Sequence, residues 1–333
     1  MAERQTTTTS TTAATVAPTG SSGRRINVRD LGILGVIVLA SIILALTTSS
    51  FLNPQNISAV AIGLVTDGVI AIAMTMVLVT GGFDLSVGSV LALGGMIVAQ
   101  LLHSGMGIVP AILLTLLASA SVGLINGLII TKIRVNPLIT TLAMMGIASS
   151  VTLVISGGYP ISNLPKEFLF IGQGYIAGIP FSVILMLLMV LAADTLLRHA
   201  LWLRQIYYIG GNERAALLSG IPVDRLRLFI YVFCAMMAGA AGIVATSRLG
   251  SAFPLAGKGA EMRVISACVI GGCSLSGGEG TVIGSLLGVL LMAIINNGLV
   301  LLNVSIYWQG IVSGLILIAA VTFDMLSRKS QSR

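Results

Sequence analysis

Residues 108–131 read IVPAILLTLLASASVGLINGLIIT, without a single charge. As a helix rising 1.5 Å per residue, this stretch is long enough to cross a hydrocarbon core about 30 Å thick. Lys132 and Arg134 follow at once, and a second apolar run opens at Pro137. The same alternation of long apolar runs and short charged gaps fills most of the chain. Charged residues are 9% of the sequence and hydrophobic residues 56%, whereas a soluble domain is about a quarter charged. The chain cannot coat itself for water. Its apolar runs are continuous rather than alternating, which predicts helices and not a β-barrel. The expected fold is therefore an all-α polytopic membrane protein.

Candidate spans lie near 31–49, 57–79, 86–102, 108–131, 137–155, 179–197, 228–247, 264–275, 281–302 and 307–326. The segment near 264–275 is short for a full crossing and reads as a broken or re-entrant helix. Basic residues gather at Arg24, Arg25 and Arg29; at Lys132 and Arg134; at Arg198, Arg204, Arg214, Arg225 and Arg227; and at Arg328, Lys329 and Arg333. With ten spans all four groups fall on one side, which by the positive-inside rule is the cytoplasm, with both termini there. The net charge of +7 is explained by this bias and calls for no nucleic-acid partner. Three units follow: a cytoplasmic tail 1–29, rich in Thr, Ser and Ala and too poor in large apolar residues to pack; a membrane domain 30–327; and a short cytoplasmic tail 328–333.

Val79-Thr80-Gly81-Gly82-Phe83-Asp84-Leu85-Ser86 and Val269-Ile270-Gly271-Gly272-Cys273-Ser274-Leu275-Ser276 share the pattern V-x-G-G-x-x-L-S. Gly-interrupted helices in corresponding places of two halves point to a translocation pathway. Gly81, Gly82, Gly271 and Gly272 are the expected helix breaks. Asp84 has two compatible readings: a cap on the amides of Ser86 or Val87, or a polar group lining the pathway. Asp67 lies within the second span, where an acid is a functional candidate, as an ion site or as a group facing a wet cavity. Glu261 and Arg263 read as a local pair at a helix entrance. Hydroxyls and amides among small residues, Ser86, Ser89, Asn126, Asn296 and Asn297, are the other candidates for the pathway, though such amides more often bond helix to helix.

Asn212-Glu213-Arg214-Ala215-Ala216-Leu217-Leu218-Ser219-Gly220-Ile221-Pro222 reads as a short capped helix: Asn212 as N-cap, Glu213 in the first turn, Gly220 at the left-handed stop, Pro222 barring continuation. It either lies against the protein's own core or docks into a partner. Residues 157–178 form the longest external gap, a connector or a surface for a soluble partner. Cys234, Cys268 and Cys273 sit in apolar surroundings without metal-ligand spacing and read as buried thiols. No metal site is expected. There is no G-x-x-x-x-G-K-[ST] loop, H-E-x-x-H or G-x-S-x-G motif, so the chain is not expected to be an enzyme, and any ATP hydrolysis belongs to another subunit.

Four blocks in order resemble the permeases of bacterial ATP-binding-cassette sugar importers, the ribose, arabinose, xylose and galactose type. They are residues 74–89 (MTMVLVTGGFDLSVGS), 132–142 (KIRVNPLITTL), 209–221 (IGGNERAALLSGI) and 261–280, ending GGCSLSGGEG. The resemblance covers roughly residues 30–327. It implies a bacterial inner-membrane permease that imports a monosaccharide by alternating access, with ATP and Mg on a separate cytoplasmic ATP-binding subunit and no cofactor on this chain. It also implies a periplasmic or lipid-anchored sugar-binding protein and a second permease copy or paralogue around one pathway in the lipid bilayer. The helix at 212–220 becomes the expected coupling element, through Gly211, Asn212, Glu213, Ala215, Ala216, Leu217, Leu218 and Gly220. One departure stands out: the family commonly carries a Thr-x-x-Gly-Arg segment where Ala200-Leu201-Trp202-Leu203-Arg204 keeps only the arginine. Two other classes fit the composition: an ion-coupled carrier using Asp67, and a non-transporting scaffold or sensor.

Overall fold

The computed structural model describes residues 28–305 and scattered positions between 308 and 322. Most of the tail 1–29, the tail 328–333 and half of the span near 307–326 lie outside the described residues, so the count of ten spans is not decided. Within them the chain is helical apart from one small hairpin, Tyr175–Ile176 with Ile179–Pro180 (β1 and β2). The helices are α1 (Val28–Thr47), α2 (Pro54–Gly63), α3 (Val65–Val79), α4 (Val87–His103), α5 (Ile108–Leu128, continued by a π turn Ile129–Ile133), α6 (Pro137–Ser156) and α7 (Lys166–Gln173). After the hairpin come α8 (Phe181–His199), α9 (Leu201–Gly211), α10 (Glu213–Leu218), α11 (Val223–Leu249), α12 (Ala260–Ile270) and α13 (Val282–Leu301).

Among the described residues six helical stretches, α2 with α3 counted as one, are long and apolar enough to cross a membrane, and α4 and most of α1 are shorter apolar helices. The expected span at 57–79 is two helices meeting at Leu64. The expected short segment at 264–275 is α12, only 11 residues long, which stops at Gly271. Helix starts are set by side chains that take up the free amides of the first turn. Asn53 before Pro54 accepts from Gln55 N at 3.1 Å, Asn136 before Pro137 accepts from Leu138 N at 2.9 Å, and Thr281 accepts from Gly284 N at 3.0 Å.

Every residue of α3 from Gly68 to Val79 is buried, as expected of a helix apolar on all sides and placed at the centre of a bundle. Helices α8, α11, α12 and α13 surround it, and α4 and α5 pack on α11. Where water gives no drive for association, close backbone packing does the work. On α5, Gly123 and Gly127 form a G-x-x-x-G pair against Val232 and Leu228 of α11. Gly284 and Gly288 of α13 do the same against Gly271 and Ala267. The outward faces of α1, α5, α6 and α8 keep Leu46, Leu117, Val154 and Leu191 exposed, which suits lipid rather than water.

The long gap at 157–178 is not a loose connector. It holds α7, whose Phe168 is fully buried, and it is tied to the end of α11. Ser247 Oγ donates to Phe168 O at 2.7 Å and accepts from Gly172 N at 2.8 Å, and Gln173 donates to Arg248 O at 3.1 Å. Ala200–Arg204, where the family pattern is lost, opens α9 regularly, with Trp202 edge-on to Phe229 of α11 at 5.0 Å. All three cysteines are buried free thiols.

Candidate functional site

The two copies of V-x-G-G-x-x-L-S build the same break. Each ends a helix: α3 at Val79 and α12 at Ile270. Gly81 takes φ +75° and bonds back to Leu78 O at 2.8 Å, while Gly272 takes φ +98° and bonds back to Val269 O at 3.0 Å. The next amides, Gly82 and Cys273, reach back five residues to Val77 O and Cys268 O. Side chains with a Cβ rarely adopt this left-handed turn, which is why glycine stands there. Further on, Asp84 Oδ1 accepts from Ser86 N at 2.9 Å and Ser274 Oγ accepts from Ser276 N at 3.0 Å. The turns fall in step with the sequence match, but the left-handed stops are shifted by one residue. Of the expected breaks, Gly81 and Gly272 make the stops; Gly82 packs under Tyr231 and Gly271 packs on Gly284.

The two broken segments meet each other. Gly278 N donates to Val79 O at 2.8 Å, and Gly277 lies against Gly81. Helix α9 closes over the junction: Gly210 sits directly on Val79 O and Gly278 N, and Tyr207 Oη donates to Gly280 O at 2.9 Å. Burial pushes the Tyr207 phenol above its ordinary value, so the hydroxyl stays a donor. Arg227 of α11 bonds Glu213 Oε2 at 2.8 Å and approaches Thr80 O at 3.5 Å. Arg134, held in the left-handed region at φ 65°, bonds Asp224 at 3.1 Å and reaches Glu213 at 4.0 Å. The end of α3, the loop before α13 and the start of α10 are thus joined by short contacts.

Helix α10 forms as expected. Asn212 Oδ1 accepts from Ala215 N at 3.0 Å, and Gly220 takes φ +80°. Ala216 is buried with Ile209, Val223 and Leu226. Leu217 is 50% exposed and Leu218 90% exposed. A helix anchored on one side thus presents two bare leucines on the other.

At the opposite end of α3, about 22 Å away at 1.5 Å per residue, a cavity of about 430 Å³ opens between α2, α3, α11, α12 and α13. Its size falls in the range of small-molecule sites. Asp67, Arg248, Arg263, Asn296 and Asn297 line it. The expected local pair of Glu261 and Arg263 is corrected here. Arg263 instead forks onto Asp67, with Nε to Oδ2 at 3.0 Å and Nη2 to Oδ1 at 3.2 Å. The partners are 196 positions apart, and helical spacing within one segment gives no sign of such a pair.

The other pathway candidates are dispersed. Asp84, Ser86 and Asn126 are fully buried together away from the cavity. Ser86 Oγ donates to Asp84 Oδ1 at 2.6 Å and accepts from Asn126 Nδ2 at 3.1 Å. Ser89 is half-buried on α4. Asn297 lines the cavity but also exchanges amide bonds with Asn56, at 2.7 and 3.0 Å. Asp84 is expected to hold the first break in shape. Asp84→Asn keeps an acceptor and should lower the melting temperature in detergent only slightly. Asp84→Leu leaves the Ser86 amide and hydroxyl without their acceptor and should cost about 1–3 kcal/mol for each buried group left unmade. Equal melting of Asp84→Leu and the wild type would remove this role.

Two helices broken at glycines, a polar cavity at one end and a short helix with exposed leucines at the other define a multi-pass helical membrane protein of the permease class. The chain belongs to the family described as "Branched-chain amino acid transport system / permease component", which matches residues 56–321. It is 44% identical over 293 residues to the ribose import permease protein of Bacillus subtilis (strain 168), covering 87% of this chain and 91% of that one. The ribose import permease protein of Escherichia coli (strain K12) is 38% identical, over 88% and 92% of the two chains. An L-arabinose ABC transporter permease protein of Azospirillum brasilense is 36% identical, over 90% and 88%. No solved structure matches.

Proposed function

We propose that this chain is the membrane-spanning subunit of an ATP-driven importer for a monosaccharide, a pentose, hexose or related sugar. Its relatives are permeases for ribose and L-arabinose. That weighs more on the substrate than the amino acid in the family's description, because those relatives match nearly end to end. A separate cytoplasmic ATPase carries ATP and Mg, an external binding protein delivers the sugar, and a second permease copy or paralogue completes the pathway. In this reading the chain sits in a bacterial inner membrane with both termini and α10 in the cytoplasm and the cavity toward the outside. Residues 30–327 form the permease domain between the two tails.

The observation that carries the reading is α10: anchored through Ala216 and Glu213, with Leu217 and Leu218 bare beside a groove of about 480 Å³ lined by Tyr208, Asn212 and Ala215. Such a helix suits insertion of apolar side chains into a partner. Its motion passes to the Val79–Gly278 junction through Gly210 and Arg227, so an ATPase stroke reaches both broken helices. The ion-coupled carrier loses ground because Asp67 is held on both oxygens by Arg263.

The test is reconstitution of the chain with its ATPase and binding protein in vesicles. ATP-dependent accumulation of D-ribose, L-arabinose, D-xylose or D-galactose is the expected result. Accumulation driven by an imposed proton gradient without ATP would replace this reading by the carrier. Transport of leucine in place of every sugar would restore the amino-acid class.

A further inference from the structure

We infer that the cavity at the α2–α3 end is the permease's own sugar-recognition site, with Arg248, Asn296 and the Asp67–Arg263 pair as its specificity-determining residues and a neutral polyol as its ligand. The inference rests on the reading of the chain as a sugar permease.

Two polar groups in this cavity lack the partners that burial demands. Arg248 carries five N–H donors, yet its guanidinium makes a single bond, from Nη1 to Ile62 O at 3.3 Å, and no ion pair among the described residues. Asn296 Oδ1 is buried and has no hydrogen-bond partner among the described residues. A half-buried guanidinium with one hydrogen bond and the nearby charge of Asp67, and a buried amide oxygen without a partner, are costly, and both line one cavity. Together they offer donors and an acceptor, the complement of a hydroxyl group, which both accepts and donates.

Asp67 adds a third element. Its carboxylate is fixed by the fork from Arg263, but each oxygen keeps a lone pair, and the side chain remains 20% exposed. A carboxylate locked in orientation can accept from two neighbouring hydroxyls without losing rotamer freedom on binding.

The charges around the cavity determine the class of ligand. Asp67 and Glu261 supply two negative charges, and Arg248 and Arg263 two positive ones. Glu261 does not line the cavity; it lies against Gly88, and its charge supports Arg263. The lining itself sums to +1, Asp67 against Arg248 and Arg263, and Glu261 offsets that charge from outside the lining. A neutral sugar gains hydrogen bonds from every group, whereas an aldonate brings its charge beside Asp67. The two-residue frame of Arg248 and Asn296 joins α11 to α13, and Asp67 with Arg263 joins α3 to α12. The ligand therefore touches both broken helices above their breaks.

The test uses a cysteine at Ala293, which also lines the cavity, in the full-length chain. A membrane-impermeant maleimide labels it, while the native thiols are buried. Whichever of D-ribose, L-arabinose, D-xylose or D-galactose the reconstituted wild type takes up should slow labelling at least fivefold, and the aldonate of that sugar should not. Arg248→Gln or Asn296→Leu in the same background should abolish protection while the ATPase still co-purifies. Protection unchanged in both variants, or equal protection by the aldonate, overturns the inference. Absence of protection in a chain that transports the sugar overturns it too and leaves the permease reading standing. A wild type that binds no ATPase and moves no sugar removes the permease reading itself.

Discussion

Gly210→Ala is expected to abolish coupled uptake and to destabilise the chain, although it adds a single methyl group. A Cβ at this position would overlap Val79 O and Gly278 N, the two atoms that bond each other at 2.8 Å. Both are backbone atoms and cannot swing aside as a side-chain tip would. Either α9 lifts away, or the bond between the two broken segments parts. Overpacking of this kind costs about 1–3 kcal/mol, and the lost buried bond adds about 1 kcal/mol. The functional loss is larger than the stability loss, because α9 carries α10 on its end. Gly211→Ala is the internal control: its Cβ would meet nothing within 4 Å. Uptake per unit of ATP hydrolysed, with the melting temperature in detergent, reads the difference. Gly210→Ala should lower that ratio at least tenfold and melt earlier, and Gly211→Ala should do neither. Equal behaviour of the two variants would dismiss the junction as a transmission point.

This contrast also shows where sequence reading stops. Gly211 was the expected residue of the coupling block, yet the close approach belongs to its neighbour. Nothing in Ile209-Gly210-Gly211 distinguishes the two, because the atoms that crowd Gly210 come from residues 79 and 278. Local features were legible. The long apolar helices follow from apolar length, the N-cap of α10 from Asn212, and its stop from Gly220 and Pro222. The V-x-G-G-x-x-L-S repeat marked both breaks, because a left-handed helix stop demands glycine within a residue or two. Long-range pairings were not legible. Asp67 finds Arg263, Asn56 finds Asn297 and Ser86 finds Asn126 only once the helices pack. A charged residue has no periodicity that names its partner, so sequence alone pairs Arg263 with the nearest acid, Glu261. Arg248 carries no local signal, because an arginine just before a helix stop reads as a solvated end. Only the cavity beside it makes its unused donors meaningful.

Leu218→Asp is expected to release the ATPase without disturbing the permease. Leu218 is 90% exposed and contributes nothing to the core around Ala216, so the substitution should change stability by no more than about 0.5 kcal/mol. At a docked interface the same side chain is buried, and losing it forfeits about 1.5–3 kcal/mol of apolar transfer. The carboxylate put in its place must be desolvated without a partner, which adds several kcal/mol more. At 1.4 kcal/mol for each factor of ten, the combined loss corresponds to a drop of at least about 100-fold in affinity. The variant should therefore keep the wild-type melting temperature, keep sugar protection at the Ala293→Cys position, and fail to retain the ATPase on a column. Ala216→Asp should behave differently: it places a charge in a buried position and should lower the melting temperature as well. The pair separates docking from folding, because the two side chains sit two residues apart on a helix of 6 residues and face opposite ways. If Leu218→Asp retained full ATPase binding and full uptake, α10 would be only a structural cap on α9 and α11, and the partner's footprint would have to lie elsewhere on the same face, with the Lys132–Arg134 turn as the next place to look.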